Sequence, residues 1–183
     1  MRRAEQIRYL VLALQREGDR QLASALRPLG LTPSQAEAIR VVAEFGPLSL
    51  QHVGRLLICE NGTNPSRLID RLVDAGLVSR EVAPDDRRRV TLSLTPAGRA
   101  AETAVRAIEE QLYQQIDAAL EAAAGAGAGA TRGEKPGPDG DADEGRGSGS
   151  RAQTDVDAAI ALLAALAGGT PAAEALEGRG VGR

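Results

Sequence analysis

One short stretch of β-like sequence lies in a chain whose other apolar residues are spaced as in helices. Residues 90–95 alternate apolar and polar side chains, as a half-buried strand does. Residues 77–82 precede them, and a Pro-Asp-Asp turn signal at 84–86 separates the two segments. The pattern predicts one β-hairpin whose tip carries three consecutive arginines at 87–89. We therefore expect a mainly α-helical fold with a small β-hairpin.

Apolar residues at three- and four-residue steps predict amphipathic helices on both sides of this hairpin. Thr32 to Gln35 has the form of a capping box with proline at the first helical position, and Ser49 can cap a short helix. Asn64-Pro65 begins another helix, which Gly76 ends. The predicted helices cover about residues 5–26, 33–45, a short segment after Ser49, 65–75, 96–122 and 155–167.

Residues 123–151 differ in composition from the helices on either side. Alanine and glycine alternate first, and acidic, glycine and serine residues follow, with almost no large apolar side chain. Such a segment cannot bury enough surface to offset the entropy lost on ordering. We interpret it as a disordered insert; the alternative is an ordered functional loop.

Composition excludes several classes of function. The 183 residues include one histidine, His52, and one cysteine, Cys59, too few for a zinc site or an internal disulfide, so no metal or cofactor is expected. Aromatic residues make up 2%, which argues against base-stacking RNA modules. The lone thiol, and the lack of an apolar run near the roughly 20 residues of a membrane span, predict a soluble cytoplasmic protein without a membrane partner. Cys59 is expected to be inert rather than a redox sensor.

The order of parts, short helix, tight turn, second helix and basic hairpin, is that of a winged helix-turn-helix. In the second helix, Leu68, Leu72 and Ala75 fall on the side that would pack into the domain. The net charge of −3 does not argue against nucleic-acid binding, because the arginines are clustered. The opposite side of the helix carries Ser66, Arg67, Asp70, Arg71 and Asp74.

This helix is the candidate reader of a DNA major groove. Arg67 and Arg71 are four residues apart, so both guanidinium groups can project along one stripe. Thr63, Asn64 and Ser66 add short polar groups at the helix start, where free backbone N–H groups attract phosphate. Arginine can bind guanine bidentately and asparagine can bind adenine. The alternative is a solvated face in which each arginine pairs with the aspartate three residues further along.

The hairpin tip is the second candidate DNA contact, because a purely structural loop gains nothing from three mutually repelling arginines. A narrow A·T minor groove stabilises an inserted arginine, and we assign this role to Arg88. Arg87 and Arg89 would contact phosphates. Asp86 either lowers the local charge together with Asp85 or orients Arg88 through a charge-assisted hydrogen bond.

Five stretches resemble the MarR family of bacterial transcription regulators: Leu31–Gln35, Gly46–Leu50, Ser66–Leu72, Gly76–Val78 and Asp86–Arg99. The resemblance runs from about residue 10 to residue 122, and its most specific part ends in Leu94-Thr95-Pro96-Ala97-Gly98.

The resemblance implies a homodimer that binds pseudo-palindromic promoter DNA and usually represses, and that responds to a small-molecule effector. It places the family's wing Asp and Arg at Asp86 and Arg88, and the recognition-helix Ser-Arg at Ser66 and Arg67. Pro65 departs from the family pattern and puts Thr63 and Asn64 in the helix cap. The long insert before the last helix is a second departure. The sequence identifies neither an effector pocket nor a ligand class.

Apolar stripes on the first, fifth and last helices independently predict a homodimer, since the winged core has few faces left to cover them. The alternative is that the stripes pack within one chain. The predicted division is an N-terminal dimerisation helix (1–30), a winged helix-turn-helix DNA-binding domain (31–95), a long dimerisation helix (96–122), the insert (123–151), a C-terminal dimerisation helix (152–168) and a flexible tail (169–183).

The function expected from these features is a sequence-specific, nucleoid-associated regulator of transcription that binds double-stranded DNA. The competing interpretation is a winged-helix module that binds another protein and has no specific affinity for DNA. An enzyme is not expected, because no nucleophile elbow or paired base surrounds a serine.

Overall fold

The computed structural model of the chain describes residues 2–58, 64–82, 90–130, 147–168 and 170–180. The chain divides into two compact units, residues 1–111 and 112–183. The fold is mostly helical with one antiparallel hairpin, as the sequence predicts. The elements are α1 (Arg3–Leu26), a short 3-10 turn (Arg27–Leu29), α2 (Pro33–Phe45), α3 (Leu50–Leu56), α4 (Pro65–Asp74), β1 (Val78–Val82), β2 (Val90–Leu94), α5 (Pro96–Ala130), α6 (Gly147–Ala167) and α7 (Pro171–Gly178).

The first unit has one hydrophobic core, to which both strands and each of its five helices contribute. Helix α2 lies at its centre, because five of its apolar side chains are almost completely inaccessible to solvent. The largest fully buried side chains are Leu26, Ile39, Val41, Val53, Ile69, Leu72, Val78, Leu92 and Val105. Burial from so many elements fixes α3, α4 and the hairpin on a common scaffold.

Side-chain caps begin α2 and α3 where the sequence predicts them. Thr32 Oγ1 accepts from the Gln35 N–H at 3.3 Å, and Gln35 Oε1 accepts from the Thr32 N–H at 2.9 Å, which completes a capping box. Ser49 Oγ accepts from the His52 N–H at 3.2 Å. These bonds satisfy backbone donors that a helix start otherwise leaves unpaired.

The hairpin pairs β1 with β2 in antiparallel register from Val78 opposite Leu94 to Val82 opposite Val90. Thr95 joins its base to α5, since Thr95 Oγ1 donates to the Gly76 carbonyl at 2.6 Å and accepts from the Gly98 N–H at 3.0 Å. A Cβ at Gly98 would lie 1.9 Å from the Leu77 carbonyl oxygen, so the close approach of α5 requires glycine there.

The buried face of α4 differs from the sequence prediction at one position. Leu68 and Leu72 are buried as expected, but Ala75 is exposed and Ile69 is completely buried instead. Helix α4 ends at Asp74, so Ala75 already belongs to the turn that leaves the core. The apolar face is therefore wider than the predicted stripe and ends before Ala75.

Two helix extents differ from the predicted division of the chain. Helix α5 continues to Ala130 and α6 begins at Gly147, so both ends of the predicted disordered insert are helical, while residues 131–146 lie outside the described residues. Alanine is the strongest helix former, which favours continuation even where large apolar residues stop. Within the predicted flexible tail, residues 171–178 form α7, which packs on α6 with Ala175 buried. The remaining domain boundaries stay predictions.

Among the described residues, no helix combines the length and the hydropathy that crossing a membrane requires.

Candidate nucleic-acid interface

Helix α4 presents two arginines to solvent from a rigid base. Leu68, Ile69 and Leu72 are at most 6% exposed and lock one side of the helix into the core. Arg67 and Arg71 lie one turn apart on the other side and are exposed. The packed helix thus fixes the backbone positions from which both arginine side chains project, and recognition of base edges depends on such positioning.

The alternative ion pairing along α4 does not form. Asp70 pairs with Arg80 of β1 instead, with 2.6 Å between Asp70 Oδ1 and Arg80 Nη2. In the part of the chain that the structure describes, no ion pair joins Arg67 or Arg71 to an acid. Asp70 therefore ties α4 to the hairpin and leaves both arginines available to a partner.

The start of α4 is capped by Asn64. Its Oδ1 accepts from the Ser66 N–H at 3.0 Å, and Pro65 occupies the first helical position. Asn64 is exposed and is the N-cap residue of α4, the position that the departure at Pro65 assigns to it. Bidentate adenine recognition would use the same oxygen that caps the helix, so Asn64 has a structural role that the predicted base contact must share.

Five of the predicted contact residues lie outside the described residues: Thr63, Asp86, Arg87, Arg88 and Arg89. Their roles stay predictions. What the structure describes is the base of the wing, where β1 and β2 run to either side of the tip and Arg80 is bound to α4.

Helix α3 adds two exposed side chains that can carry positive charge, His52 and Arg55. Arg55 was not singled out from the sequence, although it follows His52 by three residues and so lies on a neighbouring position of the same helix surface. Cys59, which follows α3 in the sequence, lies outside the described residues.

A cluster of ion pairs joins α2 to α5 behind the candidate interface. Arg40 Nη1 donates to Glu102 Oε1 at 2.6 Å, and Arg40 Nε donates to Glu109 Oε2 at 3.0 Å. Arg106 Nη2 donates to the same oxygen of Glu102 at 2.7 Å. Burial raises the pKa of Glu102, but the hydrogen bonds from Arg106 and Arg40 outweigh it and hold that pKa below its ordinary value.

No group of three or more histidine, cysteine, aspartate or glutamate side chains is placed to hold a metal ion within the described ranges.

Comparisons with known proteins agree with this geometry. A family described as a winged helix DNA-binding domain matches residues 31–98. The chain is 30% identical over 98 residues to the organic hydroperoxide resistance transcriptional regulator of Bacillus subtilis, covering 54% of this chain and 66% of that protein. It is also 30% identical over 91 residues to the multiple antibiotic resistance protein MarR of Salmonella typhimurium, covering 50% and 62% respectively. The chain belongs to the MarR family.

A solved MarR-family structure resembles the same region. A cysteine-to-serine variant of E. coli MarR, solved with operator DNA, superposes with a TM-score of 0.53 at 26% identity, over 61% of this chain and 79% of that one. The relatives and the fold are those of transcription regulators rather than enzymes. The chain spans 44% to 66% of the length of the curated relatives it matches.

Proposed function

We propose that this MarR-family chain is a sequence-specific DNA-binding regulator that represses promoters from pseudo-palindromic operators as a homodimer in the cytoplasm. The observation that carries the proposal is the pair Arg67 and Arg71, exposed one turn apart and without ion pairs in the described residues, on a helix whose opposite side is fully buried. A relative of the same fold binds operator DNA, which supports the same class of partner for this chain.

The division of labour follows the chemistry of the two elements. In this proposal α4 lies in the major groove, where Arg67 and Arg71 bind guanine edges or adjacent phosphates. The wing enters the minor groove through Arg88, oriented by Asp86, while Arg87 and Arg89 contact phosphates. Thr63 and Ser66 add polar contacts beside the Asn64 cap. The Asp70–Arg80 ion pair supports this arrangement, because it connects the helix to the strand that leads to the wing.

A homodimer is supported by the apolar side chains that single helices leave uncovered. In the first unit, Ile7, Leu10 and Leu14 of α1 are 37%, 63% and 72% exposed. In the second unit, Ile116 and Leu163 are 56% and 51% exposed. Covering about 1,000 Å² of such surface at about 25 cal/mol/Å² gives on the order of 25 kcal/mol before association costs. Two-fold symmetry would then place the recognition helices about one DNA turn apart.

We also propose that a small-molecule effector releases the DNA, and a cavity in the first unit is a candidate site. It has a volume of about 430 Å³ and lies between α2, β2 and α5. Pro47 and Leu94 give it apolar walls, and Arg99 offers positive charge. Arg106 also lines it, but its charge is paired with Glu102. A panel of phenolic and aromatic acids should include compounds that raise thermal stability and weaken DNA binding; unchanged stability and affinity across the panel would contradict an effector of this class.

The first test is fluorescence anisotropy with labelled DNA from upstream of the chain's own gene, at two salt concentrations and with excess nonspecific competitor. A sequence-specific regulator binds tightly, resists the competitor and weakens steeply with salt, because bound phosphates release counterions. Binding that the competitor removes would contradict specific recognition of this fragment. No binding at either salt concentration would favour the second candidate function, a protein-interaction module.

A further inference from the structure

A buried carboxylate contacts the chain just past the end of α3, before the recognition helix begins. Glu37 of α2 is only 8% exposed, and its neighbours Ala36 and Ala38 are packed in the core. Its Oε1 accepts a hydrogen bond from the Ile58 N–H at 2.8 Å. Burying a carboxylate costs desolvation free energy, and hydrogen bonds to the carboxylate offset that cost. The bond from Ile58 therefore helps to stabilise Glu37 in its buried position.

Ile58 lies just past the end of α3, at the beginning of the linker to α4. Its N–H is one of the first backbone donors after the helix, where no regular secondary structure supplies a partner. The Glu37 carboxylate therefore fixes the point from which the chain departs toward α4.

The far end of the same linker is fixed by a close approach between the two helices. A Cβ at Gly54 of α3 would lie 3.3 Å from Cγ of Pro65 and 3.6 Å from its Cβ. Pro65 is the first residue of α4. Glycine at this position lets the proline ring approach the backbone of α3 more closely than any other residue would.

We propose that Glu37 and Gly54 are positioning residues for DNA recognition, because together they set the direction in which α4 leaves α3. Neither residue is required to touch DNA. Each fixes one end of the linker, and the direction of α4 decides where Arg67 and Arg71 project. The inference rests on the proposed DNA-binding function and adds the residues that prepare the recognition helix for it.

Gly54→Ala separates positioning from stability. Alanine is a better helix former than glycine, which counters the cost of the closer contact with Pro65, so the free energy of unfolding should change little. The added Cβ must displace Pro65 by a few tenths of an ångström, which misdirects α4. We expect operator affinity to fall about fivefold, since bidentate base contacts depend on geometry.

The matched control is Gly18→Ala in α1, where a Cβ meets nothing within 4 Å. It should bring the same gain in helix propensity with unchanged operator affinity, measured where light scattering reports the same oligomeric state as wild type. Equal affinities for Gly54→Ala and wild type would overturn the role of Gly54.

Glu37 is tested by Glu37→Ala and Glu37→Gln. The alanine variant lacks the acceptor, so the Ile58 amide should exchange its hydrogen faster and operator affinity should fall about tenfold. The glutamine variant keeps a carbonyl acceptor of the same reach and should restore both slow exchange and affinity. A loss of affinity that glutamine does not rescue, or slow Ile58 exchange in Glu37→Ala, would overturn the role of Glu37.

The exchange measurement distinguishes this inference from the proposed function. If wild type fails to bind operator DNA, the proposed function fails, whereas the amide exchange of Ile58 in the three proteins still decides whether Glu37 anchors the linker. If wild type binds and the variants match it in both affinity and exchange, only the positioning inference fails.

Discussion

Arg67 and Arg71 gain their meaning from what the other side chains of α4 do. Asp70, which would pair with Arg67 on a merely solvated helix face, is bound to Arg80 at 2.6 Å, and the apolar side of the helix is buried. Two long cationic side chains thus remain on a surface that the core holds in place. A single exposed arginine is weak evidence for a binding site. Two arginines one helical turn apart, without an ion pair in the described residues, form a pattern that base edges can match.

Arg67→Ala and Arg71→Ala should each weaken binding to the operator by about 1–3 kcal/mol, since each removes a guanidinium contact in the groove. Anisotropy titrations with operator and competitor DNA measure the loss for both classes of site. Arg16→Ala, which removes an exposed arginine from α1, is the control and should leave the affinity unchanged. Losses that are equal for all three variants would show that bulk charge, rather than position, determines binding.

Glu102 makes a pH-dependent contribution to stability. Its pKa is lower in the folded chain than the ordinary value of 4.5, because hydrogen bonds from Arg106 and Arg40 outweigh the effect of burial. A lowered folded pKa gives stability that is complete above the unfolded pKa and is lost as the pH falls through the folded value. The ion pairs to Arg40 and Arg106 should therefore weaken in acid.

Glu102→Gln is expected to be less stable than wild type at pH 7, and the difference should shrink between about pH 5 and pH 3. Urea unfolding at fixed protein concentration measures it at each pH. Glu44→Gln, an exposed glutamate of α2 without an ion pair in the described residues, should change the free energy little at pH 7. A difference for Glu102→Gln that stays constant down to pH 3 would exclude the ionised carboxylate as its source.

Among the elements, α2 shows how a local sequence signal fixes a helix boundary on which the core depends. Removing the Thr32 hydroxyl in Thr32→Ala should cost about 1 kcal/mol of stability, because the Gln35 N–H loses its acceptor. Ser34→Ala removes a hydroxyl from the same turn without removing the cap and should cost less. Urea denaturation of the three proteins gives the comparison, and equal stabilities for both variants would contradict the capping role.

Elements that begin with such local signals are predictable from the sequence. The capping side chains of Thr32, Ser49 and Asn64 each accept a hydrogen bond from a backbone N–H two or three residues further along the chain. The alternation in 90–94 is likewise a property of one short segment. Helices without large apolar residues are less visible. The extension of α5 to Ala130 has no stripe to reveal it, and its alanines act through propensity alone.

The parts of the site that sequence reasoning missed depend on partners far apart in the chain. Arg40 pairs with Glu102 and Glu109 across 62 and 69 residues, and Glu37 reaches Ile58 across 21. No spacing rule connects such residues, because only the packing of α2 against α5 and the α3–α4 linker brings them together. The face of α4 could be predicted, but the partner of Asp70 could not.

At the scale of the whole molecule, the exposed apolar side chains of α1 need a covering surface. Of residues 3–24 of this helix, all but Leu22 are exposed in the single chain, including Leu10 and Leu14 at 63% and 72%. A helix with so little packing needs further tertiary contacts for its stability, because helix propensity alone rarely keeps a helix folded in water. In the proposed homodimer, a second copy of the chain with the same exposed stripe would cover it through a two-fold interface.

The double variant Leu10→Lys, Leu14→Lys should therefore shift the protein from dimer to monomer in light scattering at micromolar concentration, because two ammonium groups would have to be desolvated in the interface. Glu5→Lys is the control: Glu5 precedes Leu14 by nine residues, two and a half helical turns, so the same charged group points to the opposite side. The thermal midpoint of wild type and control should rise with concentration, as mass action requires for a folded dimer. A wild-type chain that scatters as a well-folded monomer, with a midpoint independent of concentration, would mean that the stripes pack within one chain.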